Sequence, residues 1–429
     1  MARRFTSIAG DSRRLLVSSS IGSLVEWYDF FVFASAAALV FDRVFFPAVD
    51  PRTGVLLSLM TYAVGFATRP LGGVVFGVLG DRYGRKRVLV WSLLLMGVAT
   101  MGVGLVPGYA RIGILAPALL VLLRLIQGFA VGGEVGGALL LVTESLPAAR
   151  RGYWAAWPMV GGPAGNVISS IVLASLGLVV GDAAFAVWGW RVAFLASGLL
   201  IGVGIWMRTR VAESPIYRAY AERRAHASAP SVWTTLRSHW RPMLTVLFVK
   251  AAENSLFYVF STFLIVYVTR VLHLSRTLAL EAAALGSIVD VIAIFVAGAL
   301  SDRIGRRPVT IAGLVAATVW AFVLFPAMKS GAAPAIVIAA AIAGICHGTM
   351  VGGMSAFFVE LFPTRARYTG FSIGYQIASV TGAIAPLVGV ALLNTYGSTI
   401  PISLYAAAMT LPGLVALGVA TETRGRDLA

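Results

Sequence analysis

Eight ionisable residues lie inside long apolar segments of this sequence. Five are acids and three are bases: Glu26, Asp29, Glu134, Glu253, Asp290, Arg69, Arg124 and Lys250. A charged side chain at the centre of a membrane helix costs about 2.5–3.5 kcal/mol on insertion scales, so such residues are rare and are functional candidates by default. We therefore expect these eight side chains to face a wet cavity or one another.

One apolar segment carries two carboxylates on the same helix face, because Glu26 and Asp29 lie three residues apart. Two carboxylates this close tend to share a proton, which suits a proton carrier. Arg124 is the obvious mobile partner, and its guanidinium can hold a carboxylate with two parallel bonds. We predict that protonation of Asp29 or Glu26 releases Arg124 to bind substrate; the alternative is a permanent buried ion pair. Asp290 is a third candidate for proton coupling.

Other apolar segments supply candidates for substrate contact. Lys250 could offer a second cation for an anionic substrate, or it could pair with Glu253 or with Asp290. The further substrate-binding candidates are Tyr28, Asn254, Tyr258, Trp157 and Gln376, and weaker polar candidates are Asn166, Tyr375 and Ser379. Aromatic residues in such segments pack more often than they bind, so packing is the alternative for each. His347 could titrate or simply pack, and Glu134 could pair structurally with Arg69.

Membrane helices must position these residues. The chain has 429 residues, of which 59% are hydrophobic and 12% charged, whereas a soluble protein carries roughly 25% charged residues. A membrane helix needs about 20 mostly apolar residues. Spans 1 to 12 are predicted at 17–41, 54–79, 88–106, 115–142, 152–180, 190–208, 243–269, 279–300, 308–328, 334–360, 369–393 and 400–420. The alternating ten-residue strands of a membrane β-barrel do not occur in the sequence.

The longest polar stretch divides the spans into two sets of six. We predict an N-terminal bundle at 1–208, a cytoplasmic linker at 209–241 and a C-terminal bundle at 242–429. With the N-terminus in the cytoplasm, 24 of the 34 Lys and Arg residues lie on that side and 7 on the other, as expected when both termini are inside. The net charge of +16 therefore sits mainly in loops that face anionic lipid headgroups, which argues against nucleic acid as a partner.

Two loops repeat one motif. The motif reads Gly77-Val-Leu-Gly-Asp81-Arg82-Tyr-Gly84-Arg85 after span 2 and Gly298-Ala-Leu-Ser-Asp302-Arg303-Ile-Gly305-Arg306 after span 8. Glu144-Ser-Leu-Pro147 and Glu360-Leu-Phe-Pro363 recur at nearly the same offset, which predicts two homologous halves. Glycine permits close helix approach, aspartate suits a helix N-terminus, and the arginines can pair with the glutamates. We predict a cytoplasmic gating latch from these aspartates, arginines and glutamates; alternatively, the arginines only set topology.

The loop motif G-x-L-x-D-R-x-G-R, present in both halves, resembles the major facilitator superfamily. Three further motifs resemble its metabolite:proton symporter family: Gly22-Ser-Leu-Val-Glu26-Trp27-Tyr28-Asp29-Phe30, Arg69-Pro-Leu-Gly-Gly73, and Arg124-Leu-Ile-Gln127-Gly128 continuing to Glu134. The resemblance implies the major facilitator fold, an all-α polytopic membrane protein whose twelve transmembrane helices form two pseudo-symmetric six-helix bundles. It also implies proton-driven uptake of organic acids or of zwitterions such as proline and betaine.

The sequence contains no Walker loop or HExxH motif, so we predict a carrier that is neither an enzyme nor an ATP-driven pump. The prediction is proton-coupled symport of a small organic carboxylate by alternating access, in the cytoplasmic (inner) membrane. Its partners are a small-molecule substrate, protons and membrane lipid, without cofactor or metal, in a monomer. The alternatives are a zwitterion symporter in which Trp27, Trp157 or Tyr258 faces the ammonium, and an effluxer, because fold does not fix direction.

Overall fold

The computed structural model describes residues 2–83, 85–132, 135–210 and 237–426. Side chains are described for these residues except 2–14, 74, 77–78, 80–83, 85–89, 135–137, 141, 207–210, 364–366 and 368–369. Every regular element in the described ranges is helical, which confirms the all-α prediction. Most of the predicted linker, 209–241, lies outside the described residues.

The helices follow the predicted spans, and we keep the span numbers for them. Spans 1 to 6 are Ala2–Leu39, Pro51–Ala67 with Arg69–Tyr83, Arg85–Leu105, Leu115–Val131 with Val135–Ser145, Arg151–Met159 with Gly161–Ala184, and Trp190–Arg210. Spans 7 to 12 are Trp240–Tyr258 with its π-helical continuation to Val271, Arg276–Ile304, Arg306–Met328, Ala333–Glu360, Thr364–Tyr396 and Ile400–Val419. Short helices Phe41–Phe45 and Tyr109–Ile112 lie between spans 1 and 2 and between spans 3 and 4.

Two predicted continuous spans are broken by proline. Span 2 is interrupted between Ala67 and Arg69, and span 5 between Met159 and Gly161. A proline cannot donate a hydrogen bond to the carbonyl four residues earlier, and its ring crowds that carbonyl. Pro70 and Pro163 stand four residues after Phe66 and Met159, so each helix breaks just where its proline requires it.

Local sequence signals also set helix ends. Asp50 accepts a hydrogen bond from the backbone N–H of Thr53 at 3.1 Å and so caps the start of span 2. Ser275 accepts from the N–H of Leu278 at 3.2 Å at the start of span 8. Span 11 ends at Gly397, whose φ of 61° lies in the left-handed region that glycine adopts without strain.

Seven helices in the described ranges are long and apolar enough to cross a membrane. The longest, Ala148–Trp206, contains spans 5 and 6, and the other six correspond to spans 7 to 12. Spans 3 and 4 contain the shorter apolar helices Val90–Leu105 and Leu115–Val131. Large apolar side chains cover the outside; Val179 is 83% exposed and Val319 60% exposed, as expected of a surface that faces lipid. The chain is therefore a multi-pass membrane protein.

The N-terminal spans 1–6 and the C-terminal spans 7–12 meet along two seams, where span 5 packs on span 8 and span 2 on span 11. Gly152 and Gly298 bring spans 5 and 8 together, because a Cβ on Gly152 would lie 2.4 Å from the Gly298 carbonyl oxygen. Only glycine allows that approach. Further along this seam, Asn166 donates a hydrogen bond to Ser287 at 2.9 Å.

Candidate functional site

A chain of buried hydrogen bonds joins Asp29 to Arg124. Thr100 Oγ1 donates to Asp29 Oδ2 at 2.8 Å, and Gln127 Nε2 donates to Thr100 Oγ1 at 2.8 Å. Arg124 Nη1 donates to Gln127 Oε1. The predicted partnership of Asp29 and Arg124 is therefore indirect here, because two uncharged side chains stand between them.

The Arg124 guanidinium is fully buried and surrounded by aromatic rings. Its Cζ lies 4.3 Å from the ring centre of Phe30, 4.4 Å from Phe33 and 4.7 Å from Tyr62. Nε donates to the Tyr62 carbonyl at 3.3 Å, whereas Nη2 has no hydrogen-bond partner among the described residues. Cation–π contact stabilises the charge by about 2 kcal/mol when desolvated, but it does not satisfy an N–H donor. Arg124 thus retains donor capacity for an anionic ligand.

The other predicted polar residues of spans 1 and 2 lie nearby. Glu26 is buried, and Arg69 Cζ lies 4.3 Å from the Phe30 ring centre, so this ring contacts two guanidinium groups. The Tyr28 hydroxyl donates to the Ala193 carbonyl of span 6 at 2.9 Å. That bond joins two helices of one half and gives no support to the predicted substrate contact of Tyr28.

Glu134, the predicted partner of Arg69, lies outside the described residues. Asp81, Arg82 and Arg85 of the predicted latch fall among the side chains that the structure does not describe. The N-terminal copy of the latch therefore stays a prediction.

Four ionisable side chains in spans 7, 8 and 10 contact one another in sequence. They are called here the second polar chain. Lys250 Nζ lies 2.5 Å from Glu253 Oε2, Glu253 Oε1 lies 3.0 Å from His347 Nε2, and His347 Nδ1 lies 2.7 Å from Asp290 Oδ2. Each residue is at most 4% exposed. The predicted pair of Lys250 with Glu253 is present, whereas the predicted pair of Asp290 with Lys250 is wrong, because Asp290 binds His347 instead.

Lys250 is engaged on two sides, so its predicted role as a second cation for substrate has little support. Glu253 neutralises its charge, and its Nζ lies 4.7 Å from the Tyr375 ring centre. The neighbouring Asn254 donates to the Ala378 carbonyl of span 11 at 3.2 Å. Its amide therefore joins two helices of the C-terminal half, which gives no support to its predicted contact with substrate.

Aromatic rings connect the two polar chains across the boundary between the halves. The ring centres of Tyr62 and Tyr258 are 6.0 Å apart, and those of Phe31 and Phe257 are 5.6 Å apart in an edge-to-face contact. Because Tyr62 also contacts the Arg124 guanidinium, the structure brings the predicted residues Tyr258 and Arg124 against the same ring.

Two further predicted residues lie at contacts between the halves. The Trp157 ring packs on Phe295 of span 8 with centres 5.3 Å apart. Gln376 Nε2 donates to the Gly132 carbonyl of span 4 at 3.3 Å, and Ser379 Oγ donates to the Gln376 carbonyl at 2.7 Å. The contacts of Trp157 and Gln376 must change if the halves move, so they fit a role in motion as well as one in binding.

Ion pairs link the halves at the face where spans 4, 8 and 10 end, called here the terminal face. Arg151 Nη1 lies 3.0 Å from Glu360 Oε1, and Arg367 Nη1 lies 2.8 Å from Glu144 Oε1. In each pair, one residue lies at the end of a span of the N-terminal half and the other at the end of a span of the C-terminal half. Arginines thus bind both glutamates of the predicted latch, but Arg151 and Arg367 were not among its named members.

Asp302 of the repeated loop contacts the other half directly. Its carboxylate accepts the backbone N–H of Gly152 at 2.8 Å and of Tyr153 at 3.0 Å, at the start of span 5, where the helix dipole favours an anion. Arg306 Nη1 lies 2.7 Å from Asp302 Oδ1, whereas Arg303 is exposed and has no ion-pair partner among the described residues. Asp302 therefore acts as the cap of a helix in the opposite half.

The residues after span 12 fold back onto the terminal face. Glu422 accepts the backbone N–H of Arg306 at 2.9 Å and of Arg307 at 3.0 Å, and Thr423 donates to Glu360 at 2.7 Å. Burial raises the pKa of Glu422, but backbone N–H donors outweigh it and hold that pKa below its ordinary value. The sequence prediction overlooked this segment, although an acid placed to meet a helix N-terminus was visible in it.

Two more ion pairs link the halves at the opposite face. Arg270 Nη2 lies 2.8 Å from Asp42 Oδ2, and Arg276 pairs with Asp182. A cleft of about 210 Å³ lies between these pairs, and Arg43 also lines it. Described ion pairs therefore close the molecule toward both faces, with Arg124 and the second polar chain between them.

Sequence analysis missed Thr100 and Gln127 in the first chain. Gln127 carried a signal, since it lies three residues after Arg124 and shares its helix face. Thr100 carried none, because its contact with Asp29 depends on how span 3 is rotated. Within the part of the chain that the structure describes, no group of three or more His, Cys, Asp or Glu residues is arranged to hold a metal ion.

Comparison with known proteins finds transport proteins that are similar to this chain. The profile of the Major Facilitator Superfamily matches residues 20–289 and 254–427. The chain is 39% identical to the inner membrane metabolite transport protein YhjE of Escherichia coli, over 97% of this chain and 95% of that protein. It is 38% identical to the shikimate transporter of Escherichia coli, over 90% and 89%, and 31% identical to the proline/betaine transporter of that organism, over 98% and 85%.

Among solved structures, the xylose transporter XylE from Escherichia coli in a partially occluded inward open conformation matches with a TM-score of 0.73. The match covers 98% of this chain and 100% of that chain, at 20% sequence identity. The similarity concerns the fold, and it confirms the predicted architecture.

Proposed function

This chain belongs to the Major Facilitator Superfamily, and we propose that it is a proton-coupled symporter of a small organic anion. The resemblance to the metabolite:proton symporter family is confirmed by the relatives, and the protein is a transporter rather than an enzyme. The proposal goes further in naming the coupling ion, the substrate class and the orientation. We place the protein in the inner membrane with both termini in the cytoplasm, so the terminal face is the cytoplasmic one.

The observation that carries the substrate class is the buried Arg124 guanidinium with its free Nη2 donor. A solute carboxylate could take this donor and, by displacing Gln127, a second one, in the bidentate geometry that arginine favours. Shikimate, named for one relative, and betaine and proline, named for another, all carry a carboxylate. Because Glu253 neutralises Lys250, one cation rather than two serves the substrate in this proposal.

Asp29 is placed to couple protons to that event. Its carboxylate reaches Arg124 only through Thr100 and Gln127, so a change in its charge alters the Thr100 hydroxyl that accepts the Gln127 amide. Protonated Asp29 holds the Thr100 hydroxyl less strongly than the carboxylate does, and Gln127 can then leave Arg124 to the substrate. Glu26, three residues away, is the second candidate carrier.

Alternating access requires that the two faces open in turn. Ion pairs join the halves at the terminal face, through Glu360 and Glu144, and at the opposite face, through Asp42 and Asp182. Opening one face breaks its own pairs and leaves the others intact, which supports a rocking motion of the halves around a central site.

A zwitterionic osmolyte is the second candidate substrate, and the aromatic rings favour it. Tyr62, Tyr258, Phe30 and Phe33 lie around or beside Arg124. Such rings can face a quaternary ammonium by cation–π contact, while the arginine holds the carboxylate.

Uptake into proteoliposomes with an imposed inward proton gradient tests the proposal. Labelled shikimate and labelled betaine are offered separately, and each is competed with the other and with unlabelled carboxylates. We expect gradient-driven accumulation of shikimate or a related carboxylate. Accumulation of betaine that carboxylates do not inhibit would establish the second candidate, and uptake that ignores the gradient would reject proton symport.

Two variants test the roles of the named residues on whichever solute the wild type takes up. Asp29→Asn should abolish gradient-driven accumulation but keep solute exchange across liposomes at equal pH, because the binding site is intact. Arg124→Lys keeps the charge but loses the planar fork, so we expect weaker binding. Glu281→Gln, at an exposed position of span 8, is the matched control and should behave as wild type.

A further inference from the structure

We propose that Glu253, His347 and Asp290 form a second proton-binding site, whose bound proton holds spans 7, 8 and 10 together. This inference rests on the proposed proton coupling and extends it to the C-terminal half. Release of that proton is expected to separate His347 from its partners and so to favour opening of the central site.

The two hydrogen bonds of His347 require a proton on each ring nitrogen. Both ring nitrogens of His347 face carboxylate oxygens, Nε2 at 3.0 Å from Glu253 and Nδ1 at 2.7 Å from Asp290. A neutral imidazole has one N–H and one lone pair, so it can donate to only one of two ionised carboxylates. The other contact would set a lone pair against a negative oxygen. A proton bound to the imidazole turns both contacts into charge-assisted hydrogen bonds.

The charge balance of the buried groups also favours a protonated His347. With His347 as imidazolium, two cations and two anions are present and the buried chain is neutral: Lys250, Glu253, His347 and Asp290. When the proton passes to water, the imidazole becomes neutral and one negative charge is left uncompensated among groups at most 4% exposed. A buried charge left without its partner is strongly destabilising, so the deprotonated chain favours a conformation that admits water.

The groups that face these four residues come from spans 7, 8, 10 and 11, and the buried Glu26 carboxylate of span 1 acts electrostatically on Tyr375. Glu253 faces His347 from span 7 and Asp290 faces it from span 8. Lys250 lies one step further along the chain, and the Tyr375 ring of span 11 lies against its ammonium. Cys346 precedes His347 on span 10 as a buried free thiol.

A small cavity gives the site contact with water. Asp290 Oδ1 is buried without a hydrogen-bond partner among the described residues, and a cavity of about 20 Å³ adjoins Asp290, His347 and Ser287. That volume accommodates one water molecule. Ser287 also accepts the bond from Asn166 of the other half, so separation of spans 5 and 8 would open this cavity and allow the proton to leave.

The site is also connected to the centre of the molecule. The Phe257 ring stacks on the His347 ring with centres 4.3 Å apart, and it also makes an edge-to-face contact with Phe31 of span 1. A shift of His347 therefore displaces an aromatic ring at the boundary between the halves, next to the rings that surround Arg124.

Nitrogen NMR of the purified full-length protein, labelled with ¹⁵N only at histidine, tests the bound proton without any solute. The His347 signal is identified by its loss in His347→Gln, and His239→Gln serves as the matched control outside the chain. We expect both ring nitrogens of His347 to carry hydrogen at pH 7.5. A neutral ring at that pH would overturn the proposal.

Transport in proteoliposomes tests the coupling, with labelled shikimate and labelled betaine as probes. We expect His347→Gln and Asp290→Asn to lose at least tenfold in gradient-driven accumulation while exchange at equal pH stays within about twofold of wild type. Accumulation retained by both variants would refute the inference. If the wild type ignores the proton gradient, the proposed function fails, and the NMR result still decides whether the second site holds a proton.

Discussion

Replacing Arg151 with methionine should open the terminal face. Arg151 Nη1 bonds to Glu360 at 3.0 Å and to the Arg426 carbonyl at 3.1 Å, both in the opposite half. Methionine keeps much of the aliphatic volume and removes the charge. Glu360 does not become an unpaired buried anion, because Arg306 and Thr423 still bind it. The change therefore acts mainly on the contact between the halves rather than on folding.

The magnitude follows from the bonds that are lost. A hydrogen bond to a charged group contributes about 1.5–3 kcal/mol, and both partners regain water when the face opens, so we take one such bond as the net loss. Since about 1.4 kcal/mol is a factor of ten, the ratio of open to closed molecules should rise roughly 10- to 100-fold. A face that is closed in about 99% of molecules would then be open in roughly 10–50%.

Electron–electron distance measurement between two spin labels reads this ratio directly. The single cysteine, Cys346, is buried and can be replaced by serine, after which labels are placed at the exposed positions Ala149 and Arg303, one in each half. Arg151→Met should add a longer-distance population, and Arg150→Met, at the exposed neighbouring arginine, should not. Identical distance distributions for the two variants would refute the reasoning.

Three further predictions concern the same contacts. Gly152→Ala places a Cβ 2.4 Å from the Gly298 carbonyl oxygen. Overpacking of about 1–3 kcal/mol should keep the terminal face open, and uptake should fall roughly tenfold; uptake at the wild-type rate would contradict this. Glu422→Gln should lower Tm at neutral pH. Because the native pKa of Glu422 is lowered, its stabilisation is present above the unfolded value of about 4.3 and disappears as pH falls through the native pKa, so the two Tm curves should converge in acid; parallel curves would contradict this. Asp182→Asn should leave the uptake rate within about twofold of wild type, because the Asp182 side chain is 89% exposed and exposed pairs contribute little.

Hydropathy was sufficient to find the spans because it averages over the length of a membrane helix. It did not locate the breaks in spans 2 and 5, which depend on single carbonyls that Pro70 and Pro163 cannot bond. Prolines occur in many membrane helices without ending them, so the sequence shows where a break is possible but not that it happens.

The latch was predicted more completely than the centre. Gly298 and Asp302 belong to a repeated motif, and the structure uses them as the motif suggests, for close helix approach and for capping a helix start. The partners of His347 come from spans 7 and 8, far away in sequence. A helical repeat fixes which residues share a face, but not which neighbour that face meets, so the bridging role of His347 could not be derived from the sequence.

Among the described residues, the ion pairs that join the halves are less exposed at the terminal face than at the opposite face. At the terminal face, the side chains of Arg151 and Glu360 are 5% and 0% exposed, and the charge-assisted bond between them contributes about 1.5–3 kcal/mol. At the opposite face, one partner of each pair is closer to solvent. The side chains of Arg270 and Asp182 are 26% and 89% exposed, whereas those of Asp42 and Arg276 are 3% and 14% exposed, and ion pairs that water reaches contribute less. Opening the opposite face therefore costs less, and we expect the empty carrier to spend most of its time open to that side. Substrate and protons arriving there would then supply the interactions that the terminal face must lose before it opens.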